Sequence, residues 1–189
     1  MLKTIYLIRI GRLDQSYLRD LKTNLELGFN EFNMNVEILK KKIKLRRNYL
    51  DKTNKQYKAQ KLLDLLYKNA KEKKLFRILG ILDKDIYSKN FNFNFGVANR
   101  GSHAALISIS RLRESFYIES SDLYRKLESQ ETLNERILKE AKHELGHTFG
   151  LKHCLNDCVM QSSNSLRDTD KKPVEFCHPC LIKIKNFLT

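Results

Sequence analysis

Apolar and polar positions alternate along the first two-thirds of the chain, and this pattern predicts β-strands. The apolar segments rich in strand-forming residues are Thr4–Ile10, Asn35–Leu39, Phe76–Leu82, Phe91–Ala98 and Ala104–Ile109. In the fourth segment a period of two places three phenylalanines and Val97 on one face, as in a half-buried strand. A turn at Asn99–Gly101 is expected to join the last two strands.

Apolar positions at helical spacing predict four helices. Asp14 is a candidate cap for a helix with the apolar positions Leu18, Leu21, Leu25 and Phe29. Asn48–Lys73 predicts a second helix. The spacing of Thr132 and Glu135 is that of a capping box, and the apolar positions behind it predict a helix that ends at Gly150. Cys177–Leu188 predicts a short terminal helix, whereas residues 114–130 are compatible with a helix or a surface loop.

The order of these elements favours an α+β (mixed α/β) fold. Strands and helices are interspersed up to residue 150, and regular patterns are scarce beyond it until the last twelve residues. We therefore expect an N-terminal α/β lobe over residues 1–150 that ends in a long helix. A small irregular lobe is expected over residues 151–189.

Composition restricts the class of protein further. The chain has 189 residues, 41% of them hydrophobic, with 36 basic and 22 acidic side chains and a formal net charge of +14. This is a globular composition, and no apolar run reaches the ~18 residues of a membrane span. The opening MLKTIYLIRI is too short and too charged for a convincing signal peptide. We expect a cytoplasmic monomer whose thiols stay reduced.

The sequence HELGHTFGLKH, which begins at His143, has the spacing of a catalytic zinc site. On a helix, His143 and His147 lie on one face, one turn apart, where two imidazoles can bind one Zn²⁺. Gly150 allows the chain to turn sharply, so that His153 can supply a third ligand. Three protein ligands leave one position open for water, and Glu144 is placed to act on that water as a general base.

Four cysteines form a second candidate metal site in the last 36 residues. Cys154, Cys158, Cys177 and Cys180 form two short-spaced pairs, the usual layout of a closed structural zinc site with four thiolates. Two disulfides are the alternative, which a reducing compartment disfavours. Because His153 and Cys154 are consecutive, the structural site would fix the third ligand of the catalytic site. His178 is a weaker candidate ligand, and His103 is expected at the surface.

With these motifs, the chain resembles the archaemetzincins, a family of zinc metallopeptidases in the metzincin group. HELGHTFGLKH has the extended metzincin pattern, and the directly following cysteine, CVM at Cys158–Met160 and CHPC at Cys177–Cys180 match the family's second metal pattern. FGVA at Phe95–Ala98 and SISRLR at Ser108–Arg113 add weaker support. The family pattern has four residues between the first two cysteines, whereas this chain has three.

The resemblance implies a metzincin-like zincin with a twisted mixed β-sheet, an active-site helix and a small C-terminal zinc lobe. It implies two Zn²⁺ per chain, a catalytic one on His143, His147 and His153 and a structural one on the four cysteines. It also implies that Glu144 is the general base and that Met160 forms the methionine turn below the catalytic metal. The strand around Ala104–Ile109 would be the edge strand on which an extended peptide adds.

We therefore predict a zinc metallopeptidase that hydrolyses peptide or protein substrates. One alternative is a zinc-stabilised nucleic-acid-binding protein, because Lys40–Lys61 contains ten basic residues and one acid. A solvated basic surface is the simpler interpretation of that stretch, and we favour it. The other alternative is a peptide-binding protein that keeps the zincin architecture with little turnover, which the intact Glu144 disfavours.

Overall fold

A mixed β-sheet with helices on both faces forms the centre of the molecule. The computed structural model describes residues 3–89, 91–117 and 129–189. Its strands are β1 Lys3–Ile10, β2 Met34–Ile38, β3 Leu50–Asp51, β4 Gln56–Lys58, β5 Arg77–Leu82, β6 Ile86–Ser88, β7 Phe91–Asn94, β8 Gly96–Ala98 and β9 Ala104–Ser108. Its α-helices are α1 Ser16–Gly28, α2 Ala59–Glu72, α3 Gln130–Thr148, α4 Leu166–Lys171 and α5 His178–Leu188.

The main sheet has five strands in the order β2-β1-β5-β9-β8. The first four are parallel, and β8 runs antiparallel to β9 at one edge. Parallel neighbours need long connections, which α1 supplies between β1 and β2. All six residues of β5 are buried, as expected for a strand covered on both faces.

Alternating side chains of the central strands separate two hydrophobic cores. In β1, Ile5 and Leu7 pack with α1 and α3, whereas Ile8 and Ile10 pack with α2. The same alternation continues in β5 and β9. Each fully buried leucine or isoleucine contributes about 1.5–3 kcal/mol relative to an exposed one, so the first core fixes α1 and α3 against the sheet and the second fixes α2.

A second sheet, in the order β3-β4-β6-β7, corrects two predictions. The helix expected over Asn48–Lys73 begins only at Ala59, because β3 and β4 precede it. The single strand expected over Phe91–Ala98 is two strands, since β7 belongs to the second sheet and β8 to the first. The break occurs at Phe95, which is buried in the main core while Phe91 is 59% exposed.

In the C-terminal third, the predicted long helix is confirmed, but it begins earlier than expected. The helix begins at Gln130, and its N-cap is Ser129, whose side chain accepts a hydrogen bond from the backbone N–H of Thr132. The capping box expected at Thr132 is therefore wrong. Gly150 has a φ of +84°, which confirms the predicted helix stop. The structure adds the short helix α4, which the sequence pattern did not predict, and confirms the terminal helix α5.

The segment 114–130 lies partly outside the described residues. Of the ambiguous segment 114–130, Glu114–Phe116 forms a 3-10 turn, and 118–128 lie outside the described residues. The division into lobes at residue 150 stays a prediction, although Val159, Met160 and Phe176 pack in the same core as α1 and α3. Among the described residues, no helix is long and apolar enough to cross a membrane.

Candidate active site

The C-terminal half of α3 positions the first two histidines of the motif. From Lys139 to Gly146 every residue of this helix is buried, and His143 and His147 follow one another by one turn. Beyond the last turn, the backbone N–H of Gly150 donates to the carbonyl of His147 (2.9 Å), and the chain reverses. The reversal returns His153 to the same side of the helix.

The three histidines meet at one point. One ring nitrogen from each lies within 4.8 Å of those of the other two. The Nδ1 of His143 lies 2.9 Å from the carbonyl of Val159, and the Nδ1 of His147 lies 2.9 Å from that of Leu151. Carbonyls only accept hydrogen bonds, so both Nδ1 atoms carry the protons and both Nε2 lone pairs are free.

This donor set fits zinc. The two Nε2 atoms lie 3.1 Å apart. Two nitrogens of a tetrahedral Zn²⁺ with Zn–N bonds of about 2.05 Å would lie about 3.3 Å apart. Burial lowers the pKa of both His143 and His147, which favours the neutral imidazole that binds metals. The backbone carbonyls that hold Nδ1 fix each ring in the orientation a ligand needs.

Glu144 follows His143 on α3 and lines the same cleft as the three histidines. Its carboxylate is buried, and its Oε2 has no hydrogen-bond partner among the described residues. Burial raises the pKa of Glu144 well above its usual range, and the charge of Glu140 raises it further. A carboxylate with a raised pKa and a free oxygen can take a proton from a nearby water.

Two glycines let neighbouring groups approach this helix. A Cβ built on Gly96 of β8 would lie 2.5 Å from Cγ and 2.7 Å from Oε1 of Glu144, so only glycine fits there. Gly146, between the two helical histidines, is covered by the sulfur of Met160, which is fully buried. The structure thus places Met160 directly against the helix that carries the histidines.

The four cysteines also converge, although their first loop has only three residues. Their sulfurs lie within 4.8 Å of one another, and none is in a disulfide. The Sγ atoms of Cys154 and Cys177 are 3.7 Å apart. Two sulfurs of a tetrahedral zinc with Zn–S bonds of about 2.3 Å would lie about 3.8 Å apart, so this cluster also fits zinc. The disulfide alternative does not match this geometry.

The surroundings of the sulfurs are those of a metal site. The backbone N–H groups of Cys177 and Met160 donate to the sulfur of Cys158 (3.3 and 3.5 Å). Burial raises the pKa of Cys177. Hydrogen bonds, including those from the backbone of Cys180 and the side chain of Asn156, outweigh burial and lower this pKa to about 7. Burial raises the pKa of Cys158. A bound cation would allow all four thiols to ionise together.

A cleft of about 480 Å³ lies between α3 and the strands β7 and β8, and the three histidines and Glu144 line it. The opposite wall consists of Ser162–Asn164 and Lys172. The expectation that the strand around Ala104–Ile109 is the cleft's edge strand is wrong. That strand, β9, pairs with β5 and β8 on its two sides, and β8 is the edge strand that lines the cleft.

Sequence reasoning missed several residues of this cleft. Glu140 could have been found, because it lies four residues before Glu144 and thus on the same helix face. Lys172 and Gly96 carry no local signal, since they reach the site only through the tertiary fold. His178 is exposed and outside the cysteine cluster. His103 is exposed, as expected, and does not line the cleft.

Comparison with known proteins decides the family. The model of peptidase family M54 matches residues 2–186. The chain belongs to peptidase family M54. This M54 chain is 39% identical to the archaemetzincin of Pyrococcus furiosus over 186 residues, which cover 97% of this chain and 93% of that protein. It is 49% identical to the archaemetzincin of Archaeoglobus fulgidus over 107 residues, 57% of this chain and 59% of that protein.

Solved structures of similar proteins have the same fold as this M54 chain. The archaemetzincin of Methanopyrus kandleri superposes with a TM-score of 0.82 at 30% identity, covering 99% of this chain and 96% of that one. The archaemetzincin of Archaeoglobus fulgidus gives 0.75 at 33% identity, covering 95% and 99%. The predicted resemblance and fold class are confirmed, and the M54 chain is a zinc metallopeptidase.

Proposed function

We propose that the chain hydrolyses peptide bonds at a zinc ion held by His143, His147 and His153, with Glu144 as general base. The observation that carries this proposal is the convergence of three imidazoles beside a buried carboxylate that has no partner among the described residues. Burial of such a carboxylate costs stability, and perturbed groups of this kind are concentrated at functional sites, where this one would abstract a proton. When bound, zinc would lower the pKa of a water ligand toward ~7 and polarise the scissile carbonyl.

The protein's own residues then perform the proton transfers. Glu144 takes a proton from the attacking water and delivers it to the leaving amine, so that its carboxylate is restored at the end of the cycle. The carbonyls of Val159 and Leu151 hold the imidazoles in place throughout. The close contact between β8 and Glu144 limits the positions that its carboxylate can adopt.

The substrate we propose is an extended peptide that lies along β8. This strand pairs with β9 on one side, and its other side lines the cleft that contains Glu144. An extended peptide can pair with the free backbone groups of such an edge. Asn94 Oδ1 and Ser163 Oγ line the same cleft and are buried without partners among the described residues. They are candidates for hydrogen bonds to the peptide.

The second zinc ion, on Cys154, Cys158, Cys177 and Cys180, is proposed to be structural. Four thiolates complete its coordination and leave no position for water. Two of these sulfurs are buried in the same region as Met160. This zinc would hold the C-terminal residues in place and thereby position His153, which precedes the first cysteine.

Replacement of Glu144 by Gln tests the catalytic assignment. The amide keeps the size of the side chain and removes the base, so we expect hydrolysis of a fluorogenic peptide mixture to fall by at least ~10²-fold. Zinc content should remain that of the parent chain, and the variant should stay folded at the assay temperature. Peptide hydrolysis at the parental rate in Glu144→Gln would overturn the assignment.

A further inference from the structure

Lys172 is the only lysine or arginine among the described residues that line the cleft. It lies directly after α4, and its side chain is 1% exposed. Burial of an ammonium group is costly unless a counter-ion accompanies it. A buried cation so close to three metal-binding histidines would also repel a metal ion.

The counter-ion of Lys172 is Glu140 on α3. The Lys172 Nζ lies 2.7 Å from Oε1 of Glu140, whose side chain is 4% exposed. Both groups line the cleft. Glu140 precedes Glu144 by one helical turn, so the two carboxylates lie on the same face of α3. Without Lys172, the cleft would contain two neighbouring buried carboxylates that repel each other.

The charges on this pair act on Glu144 in opposite directions. The carboxylate of Glu140, one helical turn away, repels that of Glu144, and the ammonium of Lys172, which lines the same cleft, attracts it. Glu144 cannot move away on its other side, because Gly96 contacts its side chain. Its position therefore depends on the balance between Glu140 and Lys172.

A second buried lysine, Lys142 on α3, provides a comparison. Lys142 is fully buried and its Nζ lies 2.7 Å from Oε2 of Glu175, so this pair also ties α3 to the segment after α4. Lys142 faces away from the cleft, toward Gly28 and α1. In both pairs a buried lysine bonds a glutamate and joins α3 to the chain after α4, but Glu175 is 75% exposed whereas Glu140 is 4% exposed. Of the two pairs, the one that lines the cleft with Glu144 is Lys172 with Glu140.

We propose that Glu140 and Lys172 form a positioning pair for Glu144. Lys172 cancels the repulsion that Glu140 exerts on Glu144, and Glu140 in turn keeps Lys172 from pairing with Glu144. The base is thus left in place beside the histidines with its Oε2 free. This inference rests on the proposed role of Glu144 and assigns the chain a second group of residues needed for turnover.

Melting temperatures of double variants of the zinc-loaded protein test the pair without reference to activity. In Lys172→Met, Glu140 and Glu144 repel each other, so adding Glu144→Gln should raise the melting temperature. In Glu140→Gln, Lys172 has Glu144 as its remaining partner in the cleft, so adding Glu144→Gln should lower it. In the Lys142→Met background, the shift in melting temperature caused by adding Glu144→Gln should be no larger than the shift that Glu144→Gln causes in the parent chain.

Opposite signs in the Lys172→Met and Glu140→Gln backgrounds support the proposal. Equal shifts in all backgrounds would overturn it. If Lys172→Met does not fold, Glu140→Gln still supplies the test, because a shift there equal to that in the parent chain would also overturn the proposal. These outcomes do not depend on whether the chain hydrolyses peptides, so they are distinct from a failure of the proposed function.

Steady-state kinetics provide the second readout. We expect Lys172→Met to lower kcat at least tenfold with KM within about twofold of the parent, at unchanged zinc content. Lys142→Met, which removes a buried lysine and its ion pair outside the cleft, should leave both constants near the parental values. An equal loss of kcat in Lys142→Met would show that the effect of Lys172 is general destabilisation and would contradict the positioning role.

Discussion

The chemistry of single residues in the site is governed by what lies next to each. His143 and His147 are ligand candidates because backbone carbonyls hold their Nδ1 protons and turn Nε2 toward the same point. Glu144 is a base candidate because burial and Glu140 raise its pKa while Oε2 stays unpartnered among the described residues. Histidine and glutamate side chains that are exposed and hydrogen-bonded to one another would have neither a fixed imidazole orientation nor a raised carboxylate pKa.

Gly96 gives a residue-scale prediction. Its replacement by Ala would place a methyl group 2.5 Å from Cγ of Glu144 and displace the carboxylate. Because a misplacement of about 1 Å can cost on the order of 10²-fold in rate, we expect kcat for a fluorogenic peptide to fall by about that factor. Zinc content should stay unchanged. A Gly96→Ala variant with parental kcat would show that Glu144 does not need this contact.

The convergence of the three histidines was predictable from the sequence, whereas the walls of the cleft were not. Spacing within one helix determines that His143 and His147 share a face, and Gly150 determines where the chain turns. Gly96 and Lys172 come close to Glu144 only because distant segments fold together. A local pattern contains no information about such contacts.

At the scale of elements, long periodic segments were predicted well and short strands poorly. The helices α1, α3 and α5 were expected because several apolar positions recur at helical spacing. The region before α2 was mistaken for helix, since two- and three-residue strands such as β3 and β4 are too short to show a period. The break at Phe95 was invisible because alternation continues through it while the pairing partner changes.

The N-terminus of α3 gives an element-scale prediction. Ser129 caps this helix by accepting from the backbone N–H of Thr132 at 3.1 Å. Ser129→Ala removes that acceptor, so we expect a loss of ~1 kcal/mol in the free energy of unfolding, measured by urea denaturation. Thr132→Ala, which leaves the capping bond in place, is the matched control and should cost less. A larger loss of stability in Thr132→Ala than in Ser129→Ala would indicate that Thr132, and not Ser129, caps the helix.

At the scale of the whole molecule, the histidine cluster and the cysteine cluster are joined through consecutive residues. His153 belongs to the histidine cluster and Cys154 to the cysteine cluster, and the backbone N–H of Cys154 donates to the carbonyl of Met160 (3.0 Å). Met160 in turn packs against Gly146 between the two helical histidines. The cysteine cluster therefore supports the position of the third histidine.

Replacement of Cys180 by Ser tests this support. Structural zinc sites contribute about 10–16 kcal/mol of apparent binding free energy in small domains, comparable to the whole stability of a protein. We expect Cys180→Ser to lose the cysteine-bound zinc and to unfold the C-terminal residues, which limited proteolysis would detect. His178→Ala, at the exposed neighbouring histidine, is the control and should keep the parental digestion pattern. A stable Cys180→Ser chain with full zinc content would contradict the structural role.

The most direct measurement of the central claim is the zinc content per chain of the parent protein and of His147→Ala, determined by elemental analysis together with circular dichroism. The account predicts two zinc ions in the parent and one in His147→Ala, whose spectrum should remain that of a folded chain without peptidase activity. If His147→Ala retains the same number of zinc ions as the parent, the assignment of a catalytic zinc to the three histidines is contradicted.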